Sequence, residues 1–237
     1  MSAPDSLYQS EIKCPVCEMD FPITKVKSRS VRLIKQDTDF CPHYEGVNPL
    51  YYEVVVCPDC GFASHISSVN NINRFEKQKV RDLISKKWVQ RDFSGERTWE
   101  KALEAYKIAL LNLNYREAYK SEIAKICIRI AWLYRYAGDK ELEGRYLHHA
   151  LNHYKDAYQG EDLSESKMDE FVSLFIIGEL SKRVGLYEQS QQWFSRLITS
   201  YADPKNKSKI PQSLIETTRD LVQELKPLLG NKNMEAV

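Results

Sequence analysis

Long apolar runs are missing from this sequence of 237 residues. The longest uncharged stretches, such as residues 171–178, fall far short of the roughly 20 residues that cross a bilayer, so no membrane association is expected. Glycine and proline number nine each, too few for a fibrous or low-complexity chain. The opening residues, Met1 to Asp5, hold neither a basic stretch nor an apolar one, so no secretory signal is read and a cytoplasmic location is expected. An excess of one charge is lacking too, the formal net charge being +1. Residues 1–69 carry six Lys/Arg against nine Asp/Glu, and residues 70–237 carry 28 against 24. Neither part has the basic surplus with which a dedicated nucleic-acid binder neutralises phosphates. What remains is an ordinary globular balance, 43% hydrophobic and 28% charged, on a chain long enough to bury a core.

Cysteine is distributed unevenly. Five of the six lie in the first 60 residues, four of them as Cys14-Pro-Val-Cys17 and Cys57-Pro-Asp-Cys60-Gly61. Two residues between cysteines let both thiolates face one ion, and two such knuckles complete a tetrahedron. A redox pair needs one such motif beside a βαβ pattern, whereas two motifs and no such pattern are present. The expectation is one structural zinc on Cys14, Cys17, Cys57 and Cys60, a closed shell with no position for a reacting water. The 39 residues between the knuckles exceed the usual ribbon interval, so an inserted hairpin or loop is expected. Residues 30–35 and 50–56 have the β-branched and aromatic content of strands. The segment between them is turn-rich and dense in functional groups.

Cys14-Pro-Val-Cys17, the segment Asp39 to Pro49, Tyr52-Glu53-Val54 and Cys57-Pro-Asp-Cys60-Gly61-Phe62-Ala63 together resemble the bacterial family catalogued as domain of unknown function 2225. The resemblance extends over most of the chain, with its specific motifs confined to about residues 12–65. It implies a zinc-ribbon-like head and a helical tail, and it implies no activity.

From Asn70 onward the apolar spacing is helical, with Ile72, Phe75, Leu83, Ile84 and Trp88 falling largely on one face. Further amphipathic stretches cover about 98–113, 118–137, 140–156, 167–184, 187–201 and 211–228. The fold class expected is α+β, with a small zinc-ribbon-like β head over 1–69, an all-α domain over 70–230 and a frayed tail over 231–237. Residues 177–197, with Gly178, Gly185, Phe194 and Leu197, resemble a tetratricopeptide (TPR) repeat, and residues 130–150 follow the same plan although Glu143 stands where a small residue is usual. Gly138 and Gly185 lie 47 residues apart against a repeat of about 34, which places an extension near residues 159–166. A TPR-like stack and an irregular bundle both accommodate this pattern.

Four sets of candidate residues follow. In a TPR register, Lys125, Ile128, Trp132, Arg135 and Tyr136 line a groove beside Val172, Phe175, Glu179, Lys182 and Arg183. Such a mixture of aromatics and cations suits a protein or peptide partner with apolar and carboxylate groups. Part of that face could instead pack on the head. Asp39, Cys41, His43 and His65 form a possible second metal or nucleophile–base site, against which stand a packed loop cysteine and a structural histidine. Lys25, Lys27, Arg29, Arg32 and Lys35, with the basic helix from Arg74 to Arg91, could contact nucleic acid or simply be solvated. His148, His149 and His153 read as a helix surface, and Cys127 reads as core. The leading functional expectation is a non-enzymatic, zinc-containing adaptor; a nucleic-acid-associated regulator and a Cys41/His43-dependent enzyme are the alternatives.

Overall fold

The computed structural model describes residues 6–162 and 169–235, the last five of them as backbone alone, and within these it holds six strands and eight helices. The strands form three separate antiparallel hairpins: β1 (Leu7–Lys13) with β2 (Asp20–Val26), β3 (Arg32–Gln36) with β4 (Pro42–Glu45), and β5 (Val54–Val56) with β6 (Ala63–His65). The first pairs from Leu7↔Val26 to Lys13↔Asp20, so Cys14 and Cys17 occupy its turn. The third pairs Val56 with Ala63, so Cys57 and Cys60 occupy its turn in the same way. The middle hairpin fills the long interval between the knuckles. Strands followed by helices give the α+β class.

Two strand expectations change. Residues 50–52 belong to a 3₁₀ turn (Pro49–Tyr52), because Pro49 sits at its first position and the Asn48 side chain accepts the Leu50 N–H at 3.0 Å. The strand therefore begins only at Val54. β1 and β2 were not anticipated, since β1 is mostly polar and exposed and the pair gains its apolar burial from Phe21 and Ile23 of β2.

The helices are α1 (Arg74–Leu83), α2 (Trp99–Arg116), α3 (Lys120–Ala137), α4 (Lys140–Gly160), α5 (Glu170–Arg183), α6 (Tyr187–Ala202), the short α7 (Pro204–Lys207) and α8 (Gln212–Glu235). Side chains cap several starts: Asn73 with Glu76 as a capping box on α1, Thr98 on α2, Asp139 on α4 and Asp169 on α5. The first helix is shorter than its sequence pattern. It buries Val80, with Ile84 buried just past its end, whereas Phe75 is 82% exposed, being about 140° round the helix from Val80. The backbone of α8 runs through residues 231–235, and Pro227 costs it a hydrogen bond without ending it. Residues 1–5, 236–237 and, within the expected extension, 163–166 lie outside the described residues; α4 itself runs on to Gly160.

α3 packs along α4, and α5 along α6. Gly178 is where the second pair closes, since a β-carbon there would lie 2.6 Å from the Phe194 ring. Two apolar clusters organise the molecule. The smaller joins Cys14, Val16, Phe21, Ile23, Val55, Cys57, Cys60 and Phe62 to Val80 of α1 and to Ile84 just beyond it. The larger runs through α2–α6 and α8 and includes Cys41, Leu50, Val54, Val56 and Ala63 of the head. Arg97 reinforces that junction: 5% exposed, it donates to the backbone oxygens of Tyr51, Val54 and Phe93 at 2.8–3.0 Å.

Candidate metal centre and adjoining groove

The two knuckles are built alike. The Cys14 N–H bonds Met19 O at 2.9 Å and Cys14 O accepts from Glu18 N at 3.0 Å; the Cys57 N–H bonds Phe62 O at 2.8 Å and Cys57 O accepts from Gly61 N at 3.1 Å. Both fifth positions are left-handed, Glu18 at φ 64° and Gly61 at φ 72°. Gly61 also has a steric reason to be glycine, because a β-carbon would meet the Trp88 ring at 2.4 Å. Glu18, on the open side of the molecule, takes the same backbone turn without a glycine. The segment from α1 onward buttresses the pair: Arg81 donates to Val16 O at 2.6 and 3.2 Å, Ser85 to Cys60 O at 2.9 Å, and the Trp88 indole to Pro58 O at 2.7 Å.

This scaffold brings four sulfurs together. Their Sγ atoms all lie within 4.8 Å of one another, with Cys14–Cys60 and Cys17–Cys57 each at 3.6 Å. A tetrahedral zinc with Zn–S bonds of about 2.3 Å has sulfur–sulfur edges of about 3.8 Å, so this donor set fits the ion. Hydrogen bonding from Cys57 and Cys60 holds the Cys14 thiol down at about 4, and Cys60, paired with that sulfur, is pushed up. Binding of a cation would displace the thiol protons.

The turn of the middle hairpin reaches the helices. Asp37 N–H bonds Cys41 O and Phe40 N–H bonds Asp37 O, both at 2.9 Å, closing a tight loop in which Phe40 has φ 67°. Asp39 is fully buried and receives Arg135 through both terminal nitrogens (2.9 and 2.6 Å), the Trp132 indole at 3.2 Å and Arg183 at 3.4 Å. Phe40 lies against Phe175 with centroids 5.4 Å apart, Thr38 donates to Glu179, and Tyr136 donates to Pro42 O. Glu143, the departure from the repeat pattern, accepts from Arg135 Nε at 2.7 Å. Burial pushes the Glu179 carboxyl up despite Thr38 and Arg183 beside it.

The expected groove is therefore seated by the chain's own residues 37–42. Trp132, Arg135, Tyr136, Phe175, Glu179 and Arg183 contact that loop, Ile128 is buried, and Lys182 pairs with Glu224 of α8. Lys125 lies elsewhere, lining a cavity of about 510 Å³ with Ser64, His65, Glu122 and Arg129.

The second candidate site does not assemble as expected. Asp37, rather than Asp39, joins Cys41 and His43, with His43 Nε2 and Asp37 Oδ2 at 2.8 Å. The Asp39 carboxylate is taken up instead by Arg135, Arg183 and Trp132. His65 is drawn away to Glu53 (3.4 Å) and Ser67 (2.8 Å), because the third hairpin places it over α3. Burial opposes ionisation of Asp37, but His43 and Arg135 outweigh it and hold the carboxyl below its usual range. Burial pushes the Cys41 thiol up to about 12, the opposite of an activated nucleophile. Cys127 is core, 2% exposed. A network that sequence reasoning missed lies under the 510 Å³ cavity: Glu53 accepts from Arg129 at 2.6 Å and from Tyr106 at 3.1 Å. Although burial opposes it, His65 and Arg129 hold the Glu53 carboxyl at about 2.

Of the basic residues of the head, Lys25 is on β2 beside Ser10, Arg32 pairs with Glu45 at 2.7 Å, Lys35 lies 3.5 Å from Asp37, Lys27 precedes a 3₁₀ turn and Arg29 lies within it. On α1, Arg81 is committed to the first knuckle. No helix among the described residues is long and apolar enough to cross a membrane.

Comparison with known proteins adds a lineage. A protein of Borreliella burgdorferi, described as an uncharacterized protein, is 27% identical over 147 residues, covering 53% of this chain and 52% of its own. The chain thus spans about half the length of that curated relative. No solved structure matches it significantly. A family model matches residues 7–225, most of the chain, and the chain belongs to that family, described as uncharacterized protein conserved in bacteria, DUF2225.

Proposed function

We propose that this is a non-enzymatic, zinc-containing interaction protein. Its zinc-ribbon-like head holds a loop in a groove of TPR-like helices, and that groove binds acidic segments bearing an aromatic residue on a protein partner. The observation that carries the reading is the seat of Asp39 and Phe40, with one carboxylate shared by Arg135, Arg183 and Trp132 and one ring set on Phe175. Fork-shaped guanidinium recognition of a carboxylate beside an aromatic pocket is how peptide grooves gain specificity. The left-handed Phe40 supports a displaceable occupant, since a bulky residue in that region is strained. An occupied groove reduces apparent affinity by the fraction of molecules in which the loop is out.

The zinc on Cys14, Cys17, Cys57 and Cys60 serves to fix the hairpins on either side of the loop. A labelled peptide spanning residues 34–44, followed by fluorescence anisotropy against the full chain, tests the proposal. Phe40→Ala removes about 1.5–3 kcal/mol of loop docking, so the peptide should bind this variant at least tenfold more tightly than wild type. Absence of binding to a Phe40→Ala protein with unchanged circular dichroism would refute the groove.

A further inference from the structure

The middle hairpin carries a second cluster of ligating side chains, apart from the four cysteines. We propose that Asp37, Cys41 and His43 bind a divalent transition metal through one carboxylate oxygen, one thiolate and one imidazole nitrogen, leaving a coordination position open to water.

Three observations point to it. Donor atoms of the three residues lie within 4.8 Å of one another although they come from both sides of one turn. Their access is graded: Cys41 is fully buried and forms the floor, while the Asp37 and His43 side chains keep 21% and 26% of their surface exposed. An ion can therefore reach the cluster without opening the fold. Finally, the surroundings are built for support. Arg135 holds Asp37 at 2.9 Å and is held in turn by Asp39 and Glu143, so it stays satisfied when Asp37 turns an oxygen towards a cation.

Charge agrees with this. Asp37, Asp39, Glu143 and Glu179 are paired with three cations, Arg135, Arg183 and Lys35, which leaves one carboxylate in excess at the turn. On binding, the Cys41 thiol gives its proton to solvent and the sulfur pair bonds the metal, so a dication adds one net positive charge where one negative is in surplus. A donor set of one sulfur, one nitrogen and one oxygen selects zinc or cobalt over magnesium or calcium, which take oxygen alone. Three protein ligands and a free position distinguish this cluster from the closed four-cysteine centre.

The test uses the full chain with one equivalent of zinc already bound, titrated with cobalt(II) and followed by absorption and metal analysis. A second equivalent should bind, with visible bands of a low-symmetry site and a near-ultraviolet thiolate-to-cobalt band of one sulfur's intensity. His43→Gln, at a partly exposed position, should weaken that second equivalent at least tenfold while leaving the zinc and the circular dichroism unchanged. Cys41→Ser should remove the thiolate band. A single metal per chain under all conditions would overturn the proposal. So would a second cobalt that lacks the thiolate band, or one that binds His43→Gln as tightly as wild type.

Discussion

Replacing Asp39 by alanine perturbs the point where the head's loop enters the helices, and its cost can be worked from the contacts. The carboxylate has no exposed surface and accepts from Arg135, Arg183 and the Trp132 indole. Removing one partner of a buried ion pair costs about 3–5 kcal/mol where the other charge is left alone. Here Arg135 retains Asp37 and Glu143, and Arg183 retains Glu179, so the electrostatic loss is a part of that range. An indole N–H left without an acceptor adds about 1–3 kcal/mol. Together these give about 3–4 kcal/mol for Asp39→Ala. With a urea dependence of about 2 kcal/mol per M, the unfolding midpoint should fall by about 1.5–2 M. Tryptophan fluorescence reports the loss directly through Trp132, and helical circular dichroism reports the global transition. A double-mutant cycle with Arg135→Met should give a coupling of at least about 1 kcal/mol. A cost below about 1 kcal/mol, or no coupling, would show that the loop is not held by this carboxylate.

Three further outcomes are expected. Chelation, or Cys57→Ser, should release the small cluster, loosening the first hairpin and α1 and moving Trp88 fluorescence, while α2–α6 keep most of their helical signal; Cys41→Ser should retain the zinc of the four-cysteine centre on metal analysis. Gly178→Ala should destabilise the α5–α6 pair by about 1–3 kcal/mol in thermal unfolding, because the new methyl meets the Phe194 ring at 2.6 Å. Glu53 should shape the acid limb of stability. Its carboxyl is held at about 2, below its ordinary 4.5, so its contribution is complete above about pH 4.5 and is lost as the pH falls towards 2. That contribution is about 2–3 kcal/mol near neutrality, and Glu53→Gln should flatten the pH dependence of stability over that interval.

The four-cysteine cluster and the helices were legible in the sequence for local reasons. A Cys-x-x-Cys spacing fixes both thiolates through one turn of backbone, and amphipathic spacing marks helix ends within a few residues, as at Lys120–Ala137 and Tyr187–Ala202. Glu18 could have been found by the same logic, standing where Gly61 stands after the second knuckle. The hairpin β1–β2 could not be read, because its strands are mostly polar and gain their core only beside the knuckles. Nor could the choice between Asp37 and Asp39. Both are aspartates two residues apart on one loop and both reach Arg135, but Asp39 is buried among Arg135, Arg183 and Trp132 while Asp37 stays partly exposed and faces His43. The groove shows the same division. Register picks out Trp132, Arg135, Tyr136, Phe175, Glu179 and Arg183 but also Lys125, Ile128 and Lys182, which lie elsewhere, and only tertiary packing buries Asp39 and sets Phe40 against Phe175.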